Sequence, residues 1–271
     1  MDKSIDYDSL VKLILNTRFV GLQAEPDDGV RFGIVLGGQP GVGKSYLAKF
    51  IAEEFGWKYA YINGDDYRPY HPDFDEFQKD PATSPLKTQK FASTVVGRLI
   101  DHFVREKVNI VIEGTFRTAE VPIETLKFLS NNGYRTFALV LTCDRNLSWK
   151  SCECRYFSVL EEDRMHGRPT SARRTPKEHH DLVAASLATN VATVYGAGVA
   201  KRMIVFVRLP DGRGDYVQKA LFDSEKQGAI APERLREAIQ CVLDGNFEAA
   251  RSVVGNALQA GPAMSRLSEE N

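Results

Sequence analysis

At 271 residues, 43% of them hydrophobic, the chain has enough apolar material for one α/β domain of ordinary size and an appendage. Its 35 Lys and Arg stand against 36 Asp and Glu for a formal charge of -1, which removes the global electrostatic case for a nucleic acid or an anionic membrane as partner. Four cysteines (Cys143, Cys152, Cys154, Cys241) show neither paired C-x-x-C spacing nor a dense framework and read as reduced thiols; the acidic, polar start reads as no signal or transit peptide, so the expected location is cytoplasmic.

In chain order, Leu10, Val11 and Ile14 predict a short helix over 8–17, and the turn Pro26-Asp27-Asp28-Gly29 leads into an apolar strand, Phe32 to Leu36. Directly after it, Gly38-Gln39-Pro40-Gly41-Val42-Gly43-Lys44-Ser45 fits G-x-x-x-x-G-K-[ST], the phosphate-binding loop. Its glycines let backbone N–H groups turn toward phosphate oxygens, Lys44 reaches the β- and γ-phosphates, and the Ser45 hydroxyl can ligate Mg²⁺ where a helix begins. ATP with Mg²⁺ is therefore the expected cofactor, with Tyr46 completing the nucleotide-binding run. Leu47, Phe50, Ile51 and Phe55 then line one face of that helix.

Tyr59 to Ile62 reads as a second strand ending in Asn63-Gly64-Asp65-Asp66. A loop holding Pro69, Pro72, Pro81 and Pro85 follows, then a long helix with Phe91, Val95, Leu99 and Phe103 in register. Val108 to Ile112 is the third strand and Thr136 to Leu141 the fourth, with a helix over Glu120 to Leu129 between them. The longest uncharged stretch, Leu182 to Ala200, is interrupted by Ser186, Thr189, Asn190 and Thr193, so it reads as a core helix and not as a membrane span. Met203 to Val207 is the fifth strand, followed by Pro210-Asp211-Gly212 and a returning strand, Tyr216 to Leu221.

From Ser224 the character changes. A linker to Ala231 precedes two short helices, Pro232 to Asp244 and Phe247 to Leu258, split by Gly245-Asn246 and closed by Gly261-Pro262. The expected organisation is a P-loop domain over 1–223 and a helical appendage over 224–271. The apolar residues Leu235, Ile239, Val242, Phe247, Val254 and Leu258 need a surface to cover, and the appendage reads as either an in-chain inhibitor or docking element, or plain core packing.

Short, continuously apolar strands alternating with helices imply an α/β fold: a three-layer, P-loop kinase-like sandwich with a mainly parallel sheet, plus a C-terminal helical hairpin. Ligands in such sheets bind at the carboxyl ends of the strands. Three of those ends carry polar residues: the P-loop, Asp65-Asp66, and Glu113-Gly114-Thr115. Asp65 and Asp66 either accept a proton from an attacking hydroxyl or hold Mg²⁺, or else cap a helix. Arg68 pairs with Asp65 or joins the substrate side. Glu113 at a strand end has no cheap structural role, because an unpaired buried charge is costly. Thr115 and Arg117 follow on the same loop, where Arg117 supplies bidentate recognition of a phosphate or carboxylate. Arg155, Arg164, Arg168, Arg173 and Arg174 read as an arginine-bearing lid or as a solvated charged helix and loop; Thr175-Pro176-Lys177-Glu178 reads as a capping box that sets Arg173 just ahead of a helix. The expected reaction class is phosphoryl transfer to a small molecule, with another acceptor (a nucleotide cofactor, an antibiotic, a polynucleotide end) or a nucleotide-dependent binding switch as alternatives.

Four motifs in order resemble the zeta toxin kinases over about residues 31–221: Gly37 to Ser45; Asn63-Gly64-Asp65-Asp66-Tyr67-Arg68 with His71-Pro72; Val111 to Thr118 with Val121-Pro122; and Arg173 to Lys177. The resemblance implies an ATP-dependent kinase acting on the 3′-hydroxyl of the amino-sugar in UDP-N-acetylglucosamine, which blocks cell-wall synthesis and is held by an epsilon-type antitoxin. It implies that Lys44 clamps phosphates, that Asp65 is the base, and that Arg155 and Arg173 stabilise the transferred phosphoryl. Glu113, Thr115 and Arg117 would line the nucleotide-sugar site. The chain departs from the pattern at Ser93, where the family has an acidic residue, and in the hairpin after 223, which lies outside the family core.

Overall fold

The computed structural model describes residues 5–22, 29, 31–55, 58–80, 83–168, 170, 172–210 and 216–255. The chain enters through α1 (Tyr7–Arg18), capped by the Asp6 carboxylate, which accepts from the N–H groups of Asp8 and Ser9. β1 (Phe32–Gly37) leads through the glycine loop and a 3-10 turn (Lys44–Tyr46) into α2 (Leu47–Phe55). β2 (Ala60–Asn63) runs into a 3-10 helix, Gly64–Tyr70, and two four-residue turns of helix, α3 (Phe74–Phe77) and α4 (Ser84–Lys87), break the proline-rich loop before α5 (Gln89–Arg105). β3 (Ile110–Glu113), α6 (Glu120–Asn131), β4 (Arg135–Thr142), α7 (Arg145–Met165), α8 (Lys177–Gly196), β5 (Arg202–Pro210), β6 (Tyr216–Asp223), α9 (Pro232–Leu243) and α10 (Phe247–Val254) complete the described chain.

The strands form one sheet in the order β2-β3-β1-β4-β5-β6, parallel except for β6, which returns antiparallel along β5 with Pro210 opposite Tyr216. Every residue of β1 is buried, as is β4 after Arg135, the signature of parallel strands covered on both faces. Side-chain alternation divides the sheet. Ile34, Leu36, Leu139, Leu141 and Phe206 meet Leu47 and Ile51 of α2 on one face. On the other, Ile62 and Ile110 meet Phe91, Val95 and Leu99 of α5, while Val140 and Val205 meet Leu187 and Val191 of α8 and Leu235 and Ile239 of α9. At the far edge Arg202 grips Asp223 with two bonds, 3.0 and 2.7 Å, both side chains under a tenth exposed.

The hairpin is therefore part of the main core. Leu235, Ala238, Ile239, Val242 and Leu243 of α9 are buried in the same cluster as β4 and β5, so its apolar face covers the sheet side. It also props the start of α7: Arg145 bonds the Leu243 carbonyl at 3.3 Å and pairs with Asp244 at 2.8 Å.

Two local expectations are corrected. The capping box over 175–178 does not form: α8 starts at Lys177 with Pro176, not Thr175, in the cap position, and no side chain caps it. Thr175 is half-buried ahead of the helix. Arg155 and Arg164 lie within α7, a single helix of 21 residues, so the charged segment is mostly a rigid helix with only the stretch after Met165 as connection. The turns at Pro26–Asp28, Pro81 and Asp211–Gly212 and the end of the last helix toward Leu258, Gly261 and Pro262 lie outside the described residues. Among the described residues no helix is long and apolar enough to cross a membrane.

Candidate active site

β1 sits between β3 and β4, so the chain winds in opposite directions from it and leaves a crevice at its carboxyl end. The glycine loop occupies that crevice. Gly41 adopts φ +76°, and a Cβ there would collide with the Ser148 carbonyl oxygen in the first turn of α7. Any other side chain would push the loop off that helix. From the other flank Arg208 Nη1 donates to the Gly41 carbonyl at 3.2 Å and to Ser151 Oγ at 3.1 Å, its guanidinium 3.9 Å above the Tyr216 ring. Val42 is fully buried in the α2 core, and Gln39 reaches down to the Cys143 carbonyl at 2.8 Å, leaving its own buried Oε1 without a partner. Gly38, Gly43 and half-buried Pro40 complete the turn.

Lys44 is 9% exposed. Its ammonium donates to the carbonyls of Gly38 (3.1 Å) and Gln39 (3.4 Å) and lies 3.7 Å from Glu113 Oε1. Burial draws its pKa down from the usual lysine range, while Glu113 and then Asp65 pull it back up. Ser45 and Tyr46 stand exposed at the helix start, and the Ser45 hydroxyl has no hydrogen bond among the described residues.

Sheet register brings the acidic residues alongside. Leu36, Glu113 and Asn63 are cross-strand neighbours at the ends of β1, β3 and β2, and the Gly114 N–H closes on the Leu36 carbonyl at 2.8 Å. Asn63 Oδ1 accepts from the Asp65 N–H at 3.1 Å, so Asn63 takes the capping duty and Asp65 keeps its carboxylate for other work. That carboxylate is held from two sides, by Arg68 Nε at 2.7 Å and Arg173 Nη2 at 2.6 Å. Partial burial pushes its pKa up, but Arg173 and Arg68 outweigh this and hold it at about 2. Arg68 is in turn fixed by the Pro85 carbonyl (2.6 Å) and Thr88 Oγ1 (2.8 Å). Asp66 pairs with Arg18 of α1 at 2.9 Å; burial raises its pKa, against Arg18 and with help from Glu113 and Asp65.

The loop after Glu113 is strained and braced. Phe116 has φ +55°, and its buried ring fills the space where Gly37 lacks a side chain; a Cβ on Gly37 would overlap it. Asn190 of α8 donates to the carbonyls of Phe116 (3.0 Å) and Arg117 (2.7 Å), and Ser186 reaches the latter at 3.3 Å. Thr115 is half-buried beside them, and the half-buried Arg117 guanidinium has no hydrogen bond or ion pair among the described residues. Arg155 is likewise unpaired and exposed on α7, close enough to oppose the charge of Lys44. The structure thus gathers Lys44, Asp65, Arg68, Glu113, Arg117, Arg155 and Arg173 around one crevice from five chain segments. Ser93, exposed on α5, bonds among the described residues only the Lys90 carbonyl of its own helix.

Several contributors carried no motif. Tyr61 donates a short hydrogen bond to Glu113 Oε2, and only strand alternation with Asn63 pointed at it. Arg18, Asn190 and His179 enter from helices whose placement is tertiary. Buried Ser148 and His180 bond at 2.9 Å, and His180 reaches Asp181 at 3.0 Å. With both residues essentially unexposed, this array clasps α7 to α8 and has no access for a substrate.

A nucleotide fits this loop by its inward-turned positive-φ glycines and its buried ammonium. No group of three His, Cys, Asp or Glu side chains among the described residues is arranged to hold a metal.

The zeta toxin family model matches residues 22–227. Over 207 residues the chain is 30% identical to Toxin PezT of Streptococcus pneumoniae, covering 76% of this chain and 77% of the relative. Over 241 residues it is 31% identical to Toxin zeta of Streptococcus pyogenes, covering 87% and 74%. A solved structure from the PezAT chromosomal toxin-antitoxin system of Streptococcus pneumoniae superposes with a TM-score of 0.69 at 20% identity, over 94% of this chain and 98% of that one. AvrRxo1-ORF1:-ORF2 with ATP superposes at 0.53 and 12% identity, over 94% and 85%. At those identities the two structures bear on the fold alone.

Proposed function

The chain belongs to the zeta toxin family of P-loop kinases, and from that premise we propose that it transfers the γ-phosphate of ATP to the 3′-hydroxyl of the amino-sugar in UDP-N-acetylglucosamine, blocking cell-wall synthesis. The observation that carries this reading is Asp65, a carboxylate freed from capping and aimed by Arg68 and Arg173 into the crevice beside Lys44.

Bound ATP with Mg²⁺ supplies the phosphoryl group. Lys44, at the base of the loop, neutralises phosphate charge in a dry site where its field is little screened. Ser45, with Asp65 as second candidate, offers the protein ligand to Mg²⁺. Asp65 orients the acceptor hydroxyl and takes its proton. With its pKa held at about 2 it is a weak base, which suits a loose transition state where positioning counts for more than proton abstraction. Arg173 and Arg155 stabilise charge on the moving phosphoryl; a phosphate that draws Arg173 off Asp65 at the same time raises the basicity of Asp65. Glu113, Thr115 and the unpaired Arg117 line the acceptor side, Arg117 facing the acceptor's diphosphate and Glu113 steadied by Tyr61. Arg68 serves that side through Asp65. The PezT relative belongs to a toxin-antitoxin system, and that likeness supports an antitoxin as partner of this chain, which we take to be of the epsilon type.

The test is to incubate the protein with ATP, Mg²⁺ and a panel of UDP-sugars, nucleotides and oligonucleotides and to weigh the products. The panel is broad because Ser93 replaces the family's acidic residue. UDP-N-acetylglucosamine is expected to gain one phosphate, and Lys44→Ala and Asp65→Asn each to lose roughly 10²–10³-fold in kcat. Phosphate on a different acceptor alone, or full activity in Asp65→Asn, overturns the assignment.

A further inference from the structure

One side chain outside all the motifs enters the acceptor half from α8. Ser186 and Asn190 define the face of α8 turned to the loop after β3, since both donate to the Arg117 carbonyl. His179 lies seven and eleven residues before them, which on an α-helix is within about 20° of the same line. It therefore extends that face two turns toward the helix start, by about 10 Å. There, Arg173 in the segment leading into α8 crosses to Asp65 at 2.6 Å. His180, one residue on, points away and is buried against Ser148 and Trp149.

His179 is half-buried, and its ring makes no hydrogen bond or ion pair among the described residues. The charged groups near enough to act on it are Arg117 from the loop after β3, Asp65 and Arg68 from the 3-10 helix after β2, and Arg173. Burial, then Arg117, push its pKa below the ordinary histidine value. Around it the guanidiniums only donate and the carboxylate only accepts. An uncharged imidazole does one of each, and its chemistry matches a neutral polar group such as a hydroxyl or an acylated amine.

We propose that His179 is an acceptor-binding residue that hydrogen-bonds an uncharged hydroxyl or acylamino group of the phosphate acceptor, while Arg117 takes the acceptor's anionic part. The assignment rests on the kinase reading above and deepens it by giving the neutral part of the acceptor its own contact.

The experiment uses the full chain, with ATP, Mg²⁺ and UDP-N-acetylglucosamine, and compares wild type with His179→Ala, His179→Phe and His179→Gln. Calorimetric binding of UDP-N-acetylglucosamine and the KM for each substrate are read beside a thermal melt. His179→Ala and His179→Phe are expected to weaken acceptor binding and raise its KM about three- to tenfold, the worth of one hydrogen bond. KM for ATP stays within twofold, and His179→Gln, which keeps a donor and an acceptor, recovers most of the loss. In wild type, acceptor KM rises as pH falls through the histidine titration; in His179→Gln that rise is absent. Unchanged acceptor KM in folded His179→Ala, or an equal rise in KM for ATP, overturns the role of His179 while leaving the kinase reading intact. Wild type that neither binds nor phosphorylates this acceptor overturns both.

Discussion

Lys44 is 9% exposed and rests on carbonyls of its own loop, whereas Arg173, 36% exposed, reaches Asp65 from a segment that arrives only after β4 and α7. The donor half of the site is one contiguous stretch, locked between α2, α7 and Arg208 by backbone contacts. The half that we propose takes the acceptor is a set of side chains from distant segments, in which Asp65 is joined to Arg68 and Arg173 by partly exposed ion pairs that solvent weakens. The difference separates two tasks. A nucleotide's phosphates are always the same shape and reward a rigid cradle, while recognition of an acceptor and closure around it require groups that exchange partners. Arg173 is the clearest case, since its carboxylate partner is also the proposed base.

The largest effect expected from breaking this arrangement lies outside both halves. Deleting 224–271 removes four buried Leu, Ile and Val side chains of α9, Leu235, Ile239, Val242 and Leu243, from the core. At about 2 kcal/mol each the loss is on the order of the whole stability of a domain. It also frees Arg145 at the start of α7, against which the glycine loop is seated. Expression and a thermal melt should find insoluble or unfolded protein; a soluble truncate with raised activity would restore the inhibitor reading of the hairpin.

Next comes Arg173→Ala, expected to lower kcat by roughly 10²-fold while leaving KM for ATP nearly unchanged. Asp65 has a depressed pKa in the folded chain, so its contribution to stability is present above the unfolded value near 3.8 and is lost as pH falls toward about 2. Without Arg173 that pKa rises, and the acid limb of the pH–rate profile moves to higher pH. A limb that stays in place would show that Arg68 alone sets the Asp65 charge. The smallest effect belongs to Tyr61→Phe, which deletes the hydrogen bond to Glu113. A loss of about 1 kcal/mol is expected in the melt, with a few-fold rise in acceptor KM and none in KM for ATP. An equal rise in both would place Glu113 with the donor half through Lys44.

The glycine loop, Asp65 and Glu113 were readable because each follows directly on a strand whose apolar run is visible in sequence, and a parallel sheet presents its strand ends together. The order of helices and strands was readable for the same reason. α7 was harder: charges surround it, with no apolar stripe to set its period, so Arg155 looked like part of a lid. Thr175 matched a capping box, but α8 begins at Lys177 with Pro176 in the cap position, which no local rule announces. The hairpin's apolar face was visible, yet the surface it covers belongs to β4, β5 and α8.

Local chemistry thus determined the phosphate cradle, the strand succession and the carboxylates that follow the strands, since backbone conformation and apolar period act over a few residues. Only the tertiary structure decided that Asn63 relieves Asp65 of capping, that Arg173 and Arg68 share its carboxylate, that Tyr61 braces Glu113, and that Asn190 of α8 braces the loop after β3. Those outcomes depend on sheet register and helix packing, which set the distances between side chains far apart in the chain and therefore the charges and hydrogen bonds each one meets.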